Sequence, residues 1–294
     1  MSNINETIQY GIACGPKSEK LIYFLIKTFI LTVNNINNFE FLLGITQFVD
    51  EQLLKKMLSV YENDVKIKYI NCKNTLPIGS MSHGTTLDIL FSNMTSKFGI
   101  VSDCDVAFLM KNWDETFKNK LNDNIIIIGT EYEPYYRKSN NIVINKYKNF
   151  PCAYFCFFLV DKLRALNLSW KPHANINIFL NKIKTNSLTR EDPTSFGCIE
   201  INSNNQNIFH PVNNGNLLLM DTGIELILKI KPTNYKYITL KFDSKTFKKL
   251  KSAQIQEYTF NNIPFLTHFK KCRGNKNMLI IRSWKNIIMS LIRP

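Results

Sequence analysis

Apolar residues along this chain fall into two alternating rhythms. Short runs rich in Ile, Val, Phe and Tyr have strand length, and between them lie longer runs with helical spacing. TIQYGIAC (7–14) predicts a first strand, followed by the turn dipeptide Gly15-Pro16. Residues 18–33 are apolar nearly all round, as in a helix buried within a domain. FEFLLGIT (39–46) predicts a second strand, DEQLLKKMLSVYEN (50–63) an amphipathic helix opened by Asp50, and VKIKYINC (65–72) a third, alternating strand. In SHGTTLDILFSNM (82–94), Leu87, Leu90, Phe91 and Met94 recur at helical spacing, and Thr85 with Asp88 has the form of a capping box. FGIVSDCD then predicts a strand, DETFKNKL a helix and NIIIIGTEYE (124–133) another strand.

Strand–helix alternation of this kind predicts an α/β domain with a mixed, mostly parallel sheet flanked by helices. After about residue 133 the rhythm is less regular. FPCAYFCFFLV (150–160) predicts a buried strand running into the helix DKLRALNL, and DTGIELILKI (221–230) a helix with Asp221 at its start. MLIIRSWKNIIMSLIRP predicts a basic amphipathic helix with Ile281, Trp284, Ile288 and Leu291 on one face. The expected division is a catalytic domain over 1–232, with halves at about 1–133 and 134–232, and a C-terminal extension over 233–294.

Composition narrows the partners. With 294 residues, 45% of them hydrophobic, the chain is long enough for a full core. The net charge of +14 suits polyanions or phosphorylated small molecules, but the lysines are spread out and form no basic arm, so a solvated basic surface is the expectation. Seven cysteines without a paired CxxC spacing argue for a reducing compartment and against a disulfide framework. The N-terminus lacks a basic-then-apolar signal pattern, and LIYFLIKTFILTV and CAYFCFFLV are too short to span a bilayer. The expected location is cytoplasmic.

The stretch FGIVSDCDVAFL (98–109) raises a chemical question, because two carboxylates end an apolar strand. In an extended segment residues i and i+2 face the same way, so Asp103 and Asp105 would point together and Cys104 opposite. Two adjacent carboxylates near a core repel unless a cation or several donors hold them. A divalent cation with oxygen ligands explains the pair economically, and ligands of open α/β sheets bind outside the carboxyl ends of the strands. The plain alternative is a solvated turn that caps the next segment.

The order strand, buried helix, strand, helix, strand, then SHGTTLDILFSNM, then FGIVSDCDVAFLMKNW resembles the nucleotide-sugar-binding half of GT-A glycosyltransferases, most of all the family 2 type. The likeness covers roughly residues 7–160 and is sharpest over 82–113, where Trp113 follows the DxD motif as a Trp often does in that group. The resemblance implies a transferase that moves a sugar from a UDP- or GDP-sugar to a hydroxyl of a glycan, protein or small-molecule acceptor, with inversion. It implies that Asp105 binds Mn²⁺ or Mg²⁺ and that Asp103 is shared between the metal and the ribose. Ala13, Cys14 and Gly15 would pass near the nucleotide, and Ser82, His83 and Gly84 would lie beside the ribose and diphosphate at a helix N-terminus.

Two further roles are needed. For the base that takes the acceptor's proton, Asp221 fits the family's placement at a helix start, with Asp192 and then Glu191 behind it; a plain N-cap also explains Asp221. For a late histidine ligand, His268 in PFLTHFKKCRGNK has the best context, with Lys270, Lys271 and Arg273 following as phosphate partners, while His210 is the weaker choice. A haloacid-dehalogenase-type phosphotransferase also carries DxD, but there the motif ends the first strand and Thr or Val stands where this chain has Ala107. A basic nucleic-acid-binding protein would leave the paired aspartates unexplained, so no nucleic acid partner is expected. The C-terminal helix offers a peripheral membrane or homodimer contact, with core packing as its ordinary role.

Overall fold

The computed structural model describes residues 7–73, 79–131, 135–136, 143–144, 150–171, 198–201, 207–210, 222–223, 225–243, 246–247, 250, 255–269 and 278–292. The first half alternates as the apolar rhythm predicts. Strand β1 (Ile8–Cys14) leads to helix α1 (Glu19–Ile30), β2 (Phe39–Ile45) to α2 (Glu51–Leu58), and β3 (Lys66–Asn71) to α3 (Gly79–Ser92). Then come β4 (Phe98–Ser102), β5 (Val106–Phe108), α4 (Trp113–Lys118) and β6 (Ile125–Glu131). Beyond these lie β7 (Tyr135–Tyr136), β8 (Val143–Ile144), β9 (Pro151–Leu159), α5 (Val160–Ala165), β10 (Cys198–Ile201) and β11 (Asn207–His210). The chain closes with α6 (Glu225–Ile230), β12 (Lys236–Phe242), β13 (Ile255–Phe260), β14 (Ile263–Phe269) and α7 (Met278–Ile292).

One ten-stranded sheet carries the fold, in the order β3-β2-β1-β4-β9-β6-β12-β13-β14-β5. Strands β3, β2, β1 and β4 run parallel, and β12 is parallel to β6. The remaining neighbours are antiparallel. From β1 the chain moves outward to β2 and β3, and α3 then carries it back to β4 on the other side of β1. This reversal makes the carboxyl ends of β1 and β4 a topological switch point, the place where open α/β sheets bind their ligands. Strands β12 to β14 follow residue 232 yet extend the same sheet, and β14 pairs with β5 directly after the aspartates.

Alternate residues of β1 face opposite layers. Tyr10 packs on Phe29 of α1, whereas Gly11 faces Leu90 of α3 and Met94 just beyond its end. Helix α3 sits so low on the sheet that a Cβ at Gly44 would lie 2.6 Å from the Thr86 side chain. Leu87, Leu90, Phe91 and Met94 are all buried, as their spacing requires. Arg164 of α5 caps the C-terminal end of α3 by donating to the carbonyls of Phe91, Ser92 and Met94.

Three local expectations change. Asp50 does cap α2, accepting from the Leu53 N–H at 2.9 Å, but Thr85 and Asp88 form no capping box. Helix α3 already begins at Gly79, so Asp88 is interior to it and is used instead to hold a later segment. The SDCD stretch is not extended: β4 ends at Ser102, and Cys104 and Asp105 form a turn into β5. On α7 the buried positions are Trp284, Ile288 and Ile292, while Leu291 is exposed. That face lies on Leu21 and Phe24 of α1 and on Phe269, which makes it part of the core. Among the described residues no helix is long and apolar enough to cross a membrane. Cys14, Cys72, Cys104, Cys152 and Cys156 are all buried.

Candidate metal and nucleotide site

Four elements, β4, β14, α3 and β9, meet around the turn at the end of β4. Ser102 ends β4, and its hydroxyl lies 2.5 Å from that of Tyr10 and donates to the Asp103 carbonyl at 2.9 Å. The turn then presents Asp103 and Asp105. Strand β14 pairs with β5 so that His268 stands opposite Val106, and the Phe269 N–H donates to the Asp105 carbonyl at 3.0 Å. A residue 163 positions later in the chain is thereby placed against the aspartates.

The side chains converge. His268 Nε2 is 3.1 Å from Asp105 Oδ1 and 3.4 Å from Asp103 Oδ2. The other Asp103 oxygen, Oδ1, is 3.1 Å from His83 Nε2 on α3. One donor atom each from Asp103, Asp105 and His268 lies within 4.8 Å of the others, a set suited to a metal ion. Adjacent ligand atoms of an octahedral ion with bonds of ~2.1 Å stand about 3 Å apart, close to the spacing found here. The turn, rather than an extended backbone, aims the two carboxylates together, and Cys104 between them is buried as expected.

Burial opposes a charge on His268, but the two carboxylates outweigh it and push its pKa up from 6.5 to about 9. A raised folded-state pKa means that protonated His268 stabilises the fold. In metal-free protein that contribution is complete below pH 6.5 and disappears as the pH rises through about 9. Thermal melts in EDTA should therefore show wild-type stability falling across that window, while His268→Gln lacks this component. Parallel curves for the two proteins would exclude the coupling.

Strand β9 supplies a side chain that no sequence pattern marked. Cys156 and Cys152 pair with adjacent residues of β6, Gly129 and Thr130, so Ala153, Tyr154 and Phe155 bulge between them. The bulge puts the Tyr154 carbonyl 3.2 Å from the Asp103 N–H and its ring 4.4 Å from the His268 ring.

Other sequence-derived candidates are placed as follows. Ala13 and Cys14 end β1 and are buried, and Gly15 follows them, its carbonyl accepting from Ser18 Oγ at 2.6 Å. Ser82, His83 and Gly84 lie inside α3 rather than at its first residue. Gly84 serves a close approach: a Cβ there would lie 2.7 Å from the Trp170 carbonyl oxygen and the Lys171 Cα. Asp88, one helical turn on, accepts from the Trp170 N–H at 2.6 Å and from Ser169 Oγ at 2.8 Å, which clamps residues 169–171 to α3. Gly84→Ala should lower unfolding stability by ~1–3 kcal/mol, as overpacking against rigid backbone does. Urea unfolding measures it, and an unchanged midpoint would contradict the packing. His210 falls at the end of β11. Asp221, Asp192, Glu191, Lys271 and Arg273 lie outside the described residues.

No protein-family model matches the sequence, and no curated protein matches it. Solved structures give partial likenesses. A mannosyltransferase from Pyrobaculum calidifontis, solved with GDP-Man and Mn²⁺, is 10% identical, with 54% of this chain and 46% of that one covered and a TM-score of 0.42. TarS 1–349 of S. aureus, solved with UDP-GlcNAc, is 12% identical over 56% of this chain and 48% of that one, with a TM-score of 0.41. The galactosyltransferase LgtC, solved with donor and acceptor sugar analogues, is 12% identical over 62% of this chain and 66% of that one, also with a TM-score of 0.41. The match spans about half the length of the first two. Likenesses this distant assign nothing to the chain, and its function has to be read from its own residues.

Proposed function

We propose that this protein is a metal-dependent glycosyltransferase that moves a sugar from a nucleoside-diphosphate sugar to an acceptor hydroxyl with inversion. One observation carries the reading: Asp103, Asp105 and His268 converge at the carboxyl end of β4, where the strand order reverses. Two carboxylates and an imidazole suit a divalent cation of intermediate hardness, which favours Mn²⁺ over the more strictly oxygen-seeking Mg²⁺.

In this reading Asp105 and His268 hold the ion, and Asp103 is shared between it and the donor ribose. A bound divalent cation supplies Lewis-acid stabilisation of the charge that builds on the leaving nucleoside diphosphate. His83, 3.1 Å from Asp103, keeps that carboxylate oriented and faces the diphosphate side together with Ser82 and Gly84. Ala13, Cys14 and Gly15 border the nucleotide. Lys271 and Arg273 pair with phosphate oxygens. Asp221, or Asp192 in its place, accepts the proton of the attacking hydroxyl. Binding of donor and acceptor together at this switch point orients them in line and excludes water that would otherwise hydrolyse the donor.

Turnover of UDP- and GDP-sugars with Mn²⁺, Mg²⁺ or EDTA tests this. Activity with Mn²⁺ that EDTA abolishes is the expected result, and turnover indifferent to EDTA would overturn the metal role.

A further inference from the structure

The two ring nitrogens of His268 have different surroundings. Nε2 faces Asp105 and Asp103, while Nδ1 lies 2.8 Å from Gln256 Oε1, an amide oxygen that only accepts. Gln256 stands directly opposite His268 in the β13–β14 ladder, and directly opposed residues share a face of the sheet. It is 2% exposed, so its amide works in a water-poor setting. Two residues along the same face, Tyr258 donates its hydroxyl to the same Oε1 at 3.3 Å. The backbone is pinned as well: Thr267 Oγ1 donates to the Gln256 carbonyl at 2.8 Å and accepts from Trp284 Nε1 at 3.1 Å.

We infer that Gln256 is a positioning residue for the metal site, fixing the tautomer and rotation of His268. The inference rests on the metal reading above. A neutral imidazole carries one proton. With that proton on Nδ1, donated to Gln256, the Nε2 lone pair points to the place that Asp103 and Asp105 also face. The other tautomer would set the Nδ1 lone pair against an amide oxygen and turn an N–H toward the cation. Where water cannot screen it, the contact of two acceptors is costly. Partners that hold the second nitrogen of a metal-binding histidine in this way tune affinity without touching the metal.

The test uses the full chain freed of metal and titrated with Mn²⁺ alone, followed by the electron paramagnetic resonance signal of the free ion. Gln256→Met keeps the size of the side chain but removes the acceptor, and should weaken Mn²⁺ binding by about 10–100-fold while the thermal transition is kept. Gln256→Glu restores an acceptor for the same proton and should bind Mn²⁺ at least as tightly as wild type. Equal affinity in Gln256→Met and wild type, or a Glu variant as weak as the Met variant, would overturn the role of Gln256. If Gln256→Met does not fold, Gln256→Glu decides alone: wild-type affinity supports the role and a tenfold loss overturns it. Wild-type protein that binds no Mn²⁺ overturns the metal reading itself, and that failure shows before any variant is compared.

Discussion

Asp105→Ala should abolish detectable Mn²⁺ binding and cut sugar transfer by on the order of a hundred- to a thousand-fold, the range seen when a preorganised electrostatic contact to a developing charge is lost. Asp105 is the right residue to remove because it is 6% exposed and its carboxylate faces His268 Nε2 directly. Without it the site keeps Asp103 alone, shared between His83 at 3.1 Å and His268 at 3.4 Å. Asp105→Asn is the sharper variant. It preserves shape and removes the charge, so a loss of the same size assigns the effect to the carboxylate. Circular dichroism guards against misfolding, and calorimetric Mn²⁺ titration measures binding apart from turnover. Full activity in Asp105→Asn would exclude a metal-ligand role for this residue.

The second large effect concerns stability. Trp113→Ala should lower the free energy of unfolding by ~3–5 kcal/mol, the usual cost of deleting a fully enclosed aromatic side chain. Trp113 is fully buried and stacks on Phe108 of β5 with centroids 5.2 Å apart and planes at 10°. Phe29, Phe155 and Phe265 meet it edge-on at 5.6, 5.8 and 5.4 Å. Those rings come from α1, β9 and β14, so one side chain locks together the elements that present Asp105, Tyr154 and His268. Its Nε1 has no hydrogen-bond partner among the described residues, so the loss is one of packing. Trp113→Phe should accordingly recover much of the difference. Denaturant unfolding of the two variants checks this, and an alanine variant as stable as wild type would refute the central role of the cluster.

Much of the scaffold is legible in the sequence. Local rhythm marks β1 to β4, β6 and the helices between them, because a side chain's face follows directly from its spacing, while the short β5 that pairs with β14 carries no such mark. The DxD pair is legible too, since adjacent carboxylates near a core need an explanation. Other features mislead when read locally. Thr85 and Asp88 have the spacing of a cap, yet Asp88 serves the backbone of residues 169–171, a partner far away in sequence. Tyr154 and Gln256 leave no local signal, because a β-bulge and a cross-strand register put them beside His268.

By itself, then, the sequence determined the α/β alternation, the buried helical faces and the acidic pair, all of which depend on spacings of a few residues. The tertiary structure alone decided how Asp103 and Asp105 face each other, how His268, the histidine favoured from its sequence context, reaches them and what holds its far nitrogen. The turn after Ser102 replaces an extended strand, and the β14–β5 pairing closes a loop of more than 150 residues to bring His268 to Asp105. Contacts between strands so far apart in the chain are set by sheet order and register, which are properties of the whole core and are written in no short stretch of it.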